Sequence, residues 1–136
     1  MYDELIAGRV YFGGADDTEQ VVREKEVGKV IDVRVNGRLE PVDYTYIHKP
    51  IADESEHIAD SIKAGVEEVV KAYETGESVY FHCGSGGGRA GVMAVATLIE
   101  LGVAQSLDEA ELMAKRARPK VNIRPQMREA LETLYK

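Results

Sequence analysis

The sequence predicts one α/β domain spanning residues 1–136, with a mainly parallel central sheet flanked by helices. Three observations carry that expectation. Two β-branched runs, Lys29 to Val35 and Ser78 to His82, read as strands buried on both faces. Between them Ile58, Ile62, Val66, Val69, Val70 and Tyr73 recur at spacings of three or four, the period of an amphipathic helix. Strand and helix signals also alternate along the chain rather than segregating into blocks.

Taken in order, Val10-Tyr11-Phe12 reads as a short strand ended by Gly13-Gly14, and Asp16-Asp17 offers an N-cap for a helix reaching about Val27. Gly28 suits the stop of that helix. Asn36-Gly37 turns the chain after the 29–35 strand, and Tyr44 to His48 is a third strand candidate. The polar stretch Lys49 to Glu56, which contains Pro50, should be a surface loop. After the helix over 58–73, Thr75-Gly76 closes the turn and Ser78 to His82 forms the next strand. Gly91 to Leu101 then reads as a helix apolar on most of its surface, hence central. Ser106 followed by Glu109 makes a capping box for a helix to about Ala117, and Pro125 opens a last helix to Tyr135.

Composition narrows the function classes. A chain of 136 residues, 44% hydrophobic and 30% charged, with 13 glycines against 4 prolines, is a folded domain rather than a low-complexity segment. Its formal charge of −7 provides no footprint for nucleic acid or an anionic membrane, so neither is expected as a partner and any anion site must be local. Asp3 and Glu4 argue against a secretory signal, and the apolar run Ala90 to Ile99 is about half of a bilayer span. A cytoplasmic monomer is the expectation. The lone cysteine can form neither an internal disulfide nor a cysteine-rich metal site, which leaves packing filler or reactive thiol. No metal or other cofactor is expected.

The decisive stretch is His82-Cys83-Gly84-Ser85-Gly86-Gly87-Gly88-Arg89, where a buried strand gives way to a helix. Ligands of α/β sheets bind beyond the carboxyl ends of strands, and a helix N-terminus offers unpaired N–H groups and a dipole that favours anions. Four glycines among the five residues between Cys83 and Arg89 let the backbone curl until successive N–H groups face one concavity of phosphate size. The same groups would favour the thiolate of Cys83, while Arg89 supplies a planar fork for two phosphoryl oxygens. The plain alternatives are a buried filler cysteine and a merely flexible turn. A nucleotide-binding loop would need Gly-Lys-Ser/Thr, which is missing.

His-Cys-x5-Arg after a strand resembles the protein tyrosine phosphatase superfamily, in particular its small dual-specificity-like members. The resemblance extends to the opening strand (RVYFGGA), the hydrophobic strand VIDVR and an acid-bearing loop before the helix that leads to the nucleophile strand. The low-molecular-weight branch and the arsenate reductases place their cysteine loop near the N-terminus, unlike Cys83. The resemblance implies a phosphomonoesterase in which Cys83 is the nucleophile, Arg89 and residues Gly84, Ser85, Gly86, Gly87 and Gly88 bind phosphate, and a loop acid protonates the leaving group.

Asp53 best matches that acid, with a solvated loop acid or helix cap as its alternative and Glu54 or Glu56 as substitutes. His82 either orders the loop or is simply packed. Gln126 falls where relatives carry a water-positioning glutamine, with an ordinary exposed helix-start glutamine as its alternative, and Arg118 and Arg124 are candidates to hold a substrate anion near the rim, with scattered surface arginines as theirs. His48 and His57 have no assigned role. In one departure from the family pattern, Ala90 stands where a serine or threonine usually follows the loop arginine. The implied substrate is a phosphorylated protein, phosphotyrosine first, or a small phosphate ester. A catalytically weak phosphate-dependent binding module is the rival reading, and a rhodanese-like sulfur carrier, whose loop lacks this arginine spacing, is a second.

Overall fold

The computed structural model describes residues 1–135; Lys136, the end of the expected domain, lies outside the described residues. The elements run β1 (Asp3–Ile6), β2 (Val10–Gly14), a 3₁₀ turn (Ala15–Asp17), α1 (Thr18–Lys25), β3 (Lys29–Asp32), β4 (Tyr46–His48), α2 (Ser55–Glu74), β5 (Val79–Cys83), α3 (Arg89–Glu100), α4 (Leu107–Ala117) and α5 (Pro125–Tyr135). The five strands line up as β1-β2-β5-β3-β4. All neighbours are parallel except β1, which pairs antiparallel with β2. The α/β fold with a mainly parallel sheet is therefore as expected.

β5 lies at the centre of the sheet and is buried along its whole length. Its period of two decides where the chemistry points. Val79, Phe81 and Cys83 face the core shared with α2, α3, α4 and α5, where Phe81 meets Phe12 at 5.7 Å between ring centroids. Tyr80 and His82 face the other side, where the apolar cluster of Tyr11, Val21, Val30 and Tyr80 packs under α1. Each fully buried aromatic or branched side chain contributes roughly 1.5–3 kcal/mol. α3 is the central helix: all positions from Ala90 to Leu98 are buried, and a Cβ on Gly91 would already meet Val121 at 2.9 Å.

Several details differ from the sequence expectation. β1 was not foreseen. Asp16 and Asp17 form a 3₁₀ turn, and no side chain caps α1; the Thr18 hydroxyl instead donates to the Ala15 carbonyl at 2.8 Å. Glu26, not Gly28, takes the left-handed position that ends α1, with φ at 51°. Gly28 is needed for close approach, since a Cβ there would lie 2.8 Å from the Glu77 carboxylate. The capping box at α4 is half formed: Ser106 Oγ accepts the Glu109 N–H at 3.1 Å, but the Glu109 carboxylate accepts from Gln105 N. Among the described residues no helix is long and apolar enough to cross a membrane.

Candidate active site

The loop between β5 and α3 curls with its outer surface held by four hydrogen bonds from three residues. The Gly84 carbonyl accepts from Ala15 N at 3.1 Å and the Gly87 carbonyl from Asn122 N at 2.8 Å. Between them, Arg118 donates Nη2 to the Ser85 carbonyl at 2.9 Å and Nε to the Gly86 carbonyl at 3.1 Å. Among the described residues no peptide is cis, so each unit with its carbonyl turned outward turns the next N–H inward. The N–H groups of Ser85, Gly86, Gly87 and Gly88 thus line the concavity, and that of Gly86 reaches Cys83 Sγ at 3.1 Å. Gly87 N also lies 3.4 Å from the Ser85 hydroxyl.

Glycine is required where this loop meets β2. Gly86 has φ at +85°, and a Cβ on it would lie 2.5 Å from Gly13 C; a Cβ on Gly14 would lie 2.8 Å from the Gly84 carbonyl oxygen. The pair Gly13-Gly14, read from sequence only as a strand end, is therefore the seat of the loop. Tyr80 OH donates to the Gly14 carbonyl at 2.6 Å and secures that seat from the opposite sheet face.

Cys83, buried in the floor, sits beside the N-terminus of α3, and Arg89 begins that helix. Arg89 Nε donates to the Ile51 carbonyl at 2.8 Å, and Nη2 pairs with the Asp53 carboxylate. Asp53, mostly exposed, is thus the acid that the structure brings to the arginine; Glu56 instead pairs with His57 at the surface. Gln126 Nε2 donates to the Asp53 carbonyl at 2.7 Å and ties the acid loop to the start of α5. Asp53, Gly88, Arg89, Asn122, Arg124 and Met127 line a cavity of about 60 Å³. Arg124 lines that cavity, whereas Arg118 is buried behind the loop, away from the rim. A wider cleft of about 350 Å³, lined by Asp16, Glu19, Arg34, Arg38 and Glu40, mixes both charge signs and holds no nucleophile.

His82 is neither exposed nor at the rim. Its ring stacks on Tyr80 at 5.7 Å, and Nδ1 donates to the Cys83 carbonyl at 3.1 Å. Burial pushes its pKa below the ordinary value, outweighing the opposite pull of Asp32, so the ring is neutral. Asp32, fully buried, lies 3.9 Å from His82 Nδ1. Burial raises its pKa, but hydrogen bonds from Arg34 and from Tyr46 OH at 2.6 Å outweigh that and hold it below the carboxylate range. Sequence reading passed over Asp32; an acid inside the buried run VIDV was the available signal. His48 bonds only the Arg34 carbonyl, away from the loop. Among the described residues no group of three His, Cys, Asp or Glu converges to hold a metal ion.

The family model described as "Polymorphic toxin system, DSP-PTPase phosphatase" matches residues 9–103, which contain the whole loop. The chain belongs to the DSP-PTPase phosphatase family. Solved structures share the fold of this DSP-PTPase phosphatase domain over nearly all of its length. PTPMT1 is 22% identical, with TM-score 0.82, over 99% of this chain and 94% of its own. DUSP15 is 20% identical, with TM-score 0.84, over 98% and 86%, and human DUSP28 is 20% identical, with TM-score 0.81, over 98% and 92%. No curated protein sequence matches. The family match ends before α4, so Arg118, Asn122 and Gln126 of the DSP-PTPase domain are covered by likeness of fold and not by that model.

Proposed function

We propose that the chain hydrolyses phosphate monoesters of proteins through a phosphocysteine intermediate, as a tyrosine or dual-specificity phosphatase. The observation that carries this reading is the curled loop whose four carbonyls are held by partners outside it, with Cys83 Sγ accepting the Gly86 N–H at 3.1 Å and Arg89 starting the helix that follows. Three phosphoryl oxygens placed in that loop would be met by backbone donors and, once Arg89 turns from Asp53, by the guanidinium fork. Cys83 Sγ attacks phosphorus, the bond to the ester oxygen breaks, and Asp53 transfers its proton to that oxygen. Water then attacks the phosphocysteine, gives its proton to Asp53, and releases inorganic phosphate and the thiolate. Gln126, whose Nε2 donates to the Asp53 carbonyl at 2.7 Å, is the candidate to orient that water, which its tie to the acid loop supports. A nucleophile of this kind must stay reduced, which accords with action in the cytoplasm.

The test is turnover of p-nitrophenyl phosphate in the presence of a chelator. Parent turnover that Cys83→Ser abolishes, with tungstate binding kept, supports the reading; an inert parent, or an active serine variant, overturns it. A panel of phosphotyrosine, phosphoserine and phosphothreonine peptides then separates the substrate classes. Because a PTPMT1 structure holds PI(5)P, that lipid belongs in the panel. Residues Gly84 to Gly88 contain no basic side chain, which favours protein over phosphoinositide.

A further inference from the structure

We propose that Arg118 is the positioning residue of the phosphate loop, aiming the Gly86 N–H at Cys83 Sγ and the Gly87 N–H into the anion site, and that strand β1 holds Arg118 in place through Asp3. This rests on the reading of Cys83 as the nucleophile. Of the four carbonyls turned outward, the first and last are held by backbone N–H groups that any residue would supply. The middle two, Ser85 and Gly86, are held by one side chain. Their peptide units carry the N–H that reaches the sulfur and the N–H beside it, so the orientation of the two central donors depends on a single guanidinium.

Arg118 has few other tasks open to it. The residue is 6% exposed, and Nη1 is spent on the Met1 carbonyl and on Asp3 Oδ2 at 2.8 Å. A buried cation without a counter-charge is strongly unfavourable, and Asp3 is the carboxylate that Arg118 meets among the described residues. The fork geometry matters: Nε and Nη2 are parallel donors that bond two successive carbonyls, while Nη1 points back to β1. A lysine ammonium on a flexible stem cannot bond Ser85, Gly86 and Asp3 from one position. The unforeseen edge strand thus acquires a role, since it anchors the residue that shapes the nucleophile's surroundings.

The experiment compares the parent with Arg118→Lys, Arg118→Met and Asp3→Asn by four measurements. These are thermal melting, the rate of Cys83 alkylation by iodoacetamide from pH 5 to 9, tungstate affinity by calorimetry, and kcat and KM for p-nitrophenyl phosphate. Losing aimed N–H donors to a charged group predicts tungstate binding weaker by roughly 10- to 100-fold in Arg118→Met, and alkylation at pH 6 slower by about 10-fold. Arg118→Lys should fall between, and Asp3→Asn should move both readouts the same way by about 2- to 5-fold. A folded Arg118→Met protein with the parent's alkylation profile and tungstate affinity would overturn the proposal. If that variant does not fold, an unchanged profile in Asp3→Asn overturns it instead. A parent inert toward the ester, whose tungstate binding still depends on Arg118, would sink the phosphatase reading and support the brace.

Discussion

Gly86 and Gly13 touch backbone to backbone: a Cβ on Gly86 would lie 2.5 Å from the Gly13 carbonyl carbon, at a φ of +85°. Gly86→Ala is therefore expected to cost about 1–3 kcal/mol of stability and to abolish tight tungstate binding, because the loop must lift from its seat. Gly84, two residues earlier, has open space around its Cβ position and no positive φ. Gly84→Ala should stay within about 0.5 kcal/mol of the parent. Thermal melts and tungstate titrations of both variants decide; equal damage from the two would refute the contact.

Asp53 has two effects of opposite sign. As the proposed acid it should matter most for poor leaving groups, so Asp53→Asn is expected to slow alkyl phosphates by roughly 10²- to 10⁴-fold and p-nitrophenyl phosphate far less. As the partner of Arg89 it competes with the anion for the guanidinium. The exposed pair is worth about 0–1 kcal/mol, so the same variant should bind tungstate up to about 5-fold more tightly. Equal slowing of good and poor leaving groups would transfer the acid role to Glu54 or Glu56.

Ala90 is fully buried, and the Gly86 N–H is the donor that reaches Cys83 Sγ among the described residues. In the resembled family a hydroxyl at this position is thought to assist departure of the thiolate. Without it, breakdown of the phosphocysteine should slow by roughly 10- to 100-fold and limit kcat. Rapid-quench kinetics are expected to show a burst of leaving group near one per enzyme, and Ala90→Ser should shrink the burst while raising steady turnover. A parent without a burst, unaffected by the serine, would make the first step limiting.

His82 gives the fold a pH dependence of definite sign. Burial lowers its folded pKa, whereas the unfolded chain takes up the proton at about pH 6.5. The unfolded state therefore binds more protons below that pH, and stability falls as pH drops from about 6.5 through the folded pKa, by at most about 1.4 kcal/mol per unit. Asp32, held low by Arg34 and Tyr46 against its burial, adds stability that is present above about pH 4 and lost in more acid solution, outside this window. Urea unfolding between pH 5 and 7.5 should slope for the parent and flatten for His82→Asn. Parallel slopes would exclude His82 as the source.

The central strands, the helices and the loop chemistry were legible because each is written in a short window: β-branched runs, a 3.6-residue period, glycines between a cysteine and an arginine. β1 was not, because its edge segment Asp3–Ile6 is half exposed, carries two acids and shows no clean alternation. Asp32 was hidden inside an apolar run. The burial of Arg118 was not legible either, because it depends on strand β1 and the loop closing over it from distant parts of the chain. Glu26 holds the helix stop two residues before Gly28, a non-glycine residue at φ 51° that no local residue-type signal marks.

The carbonyls of residues 84–87 are held by Ala15 on one side and by Arg118 and Asn122 on the other. A chain still emerging from the ribosome has Cys83 exposed long before residue 122 is free to fold back, and during that interval the carbonyls of Ser85, Gly86 and Gly87 lack these partners. Those partners arrive only with the docking of the segment after α4. A product that stops before residue 118 would therefore carry the whole His-Cys-x5-Arg sequence without the partners of three of its loop carbonyls, and on the proposed phosphatase reading its turnover would report whether the end of the chain has docked.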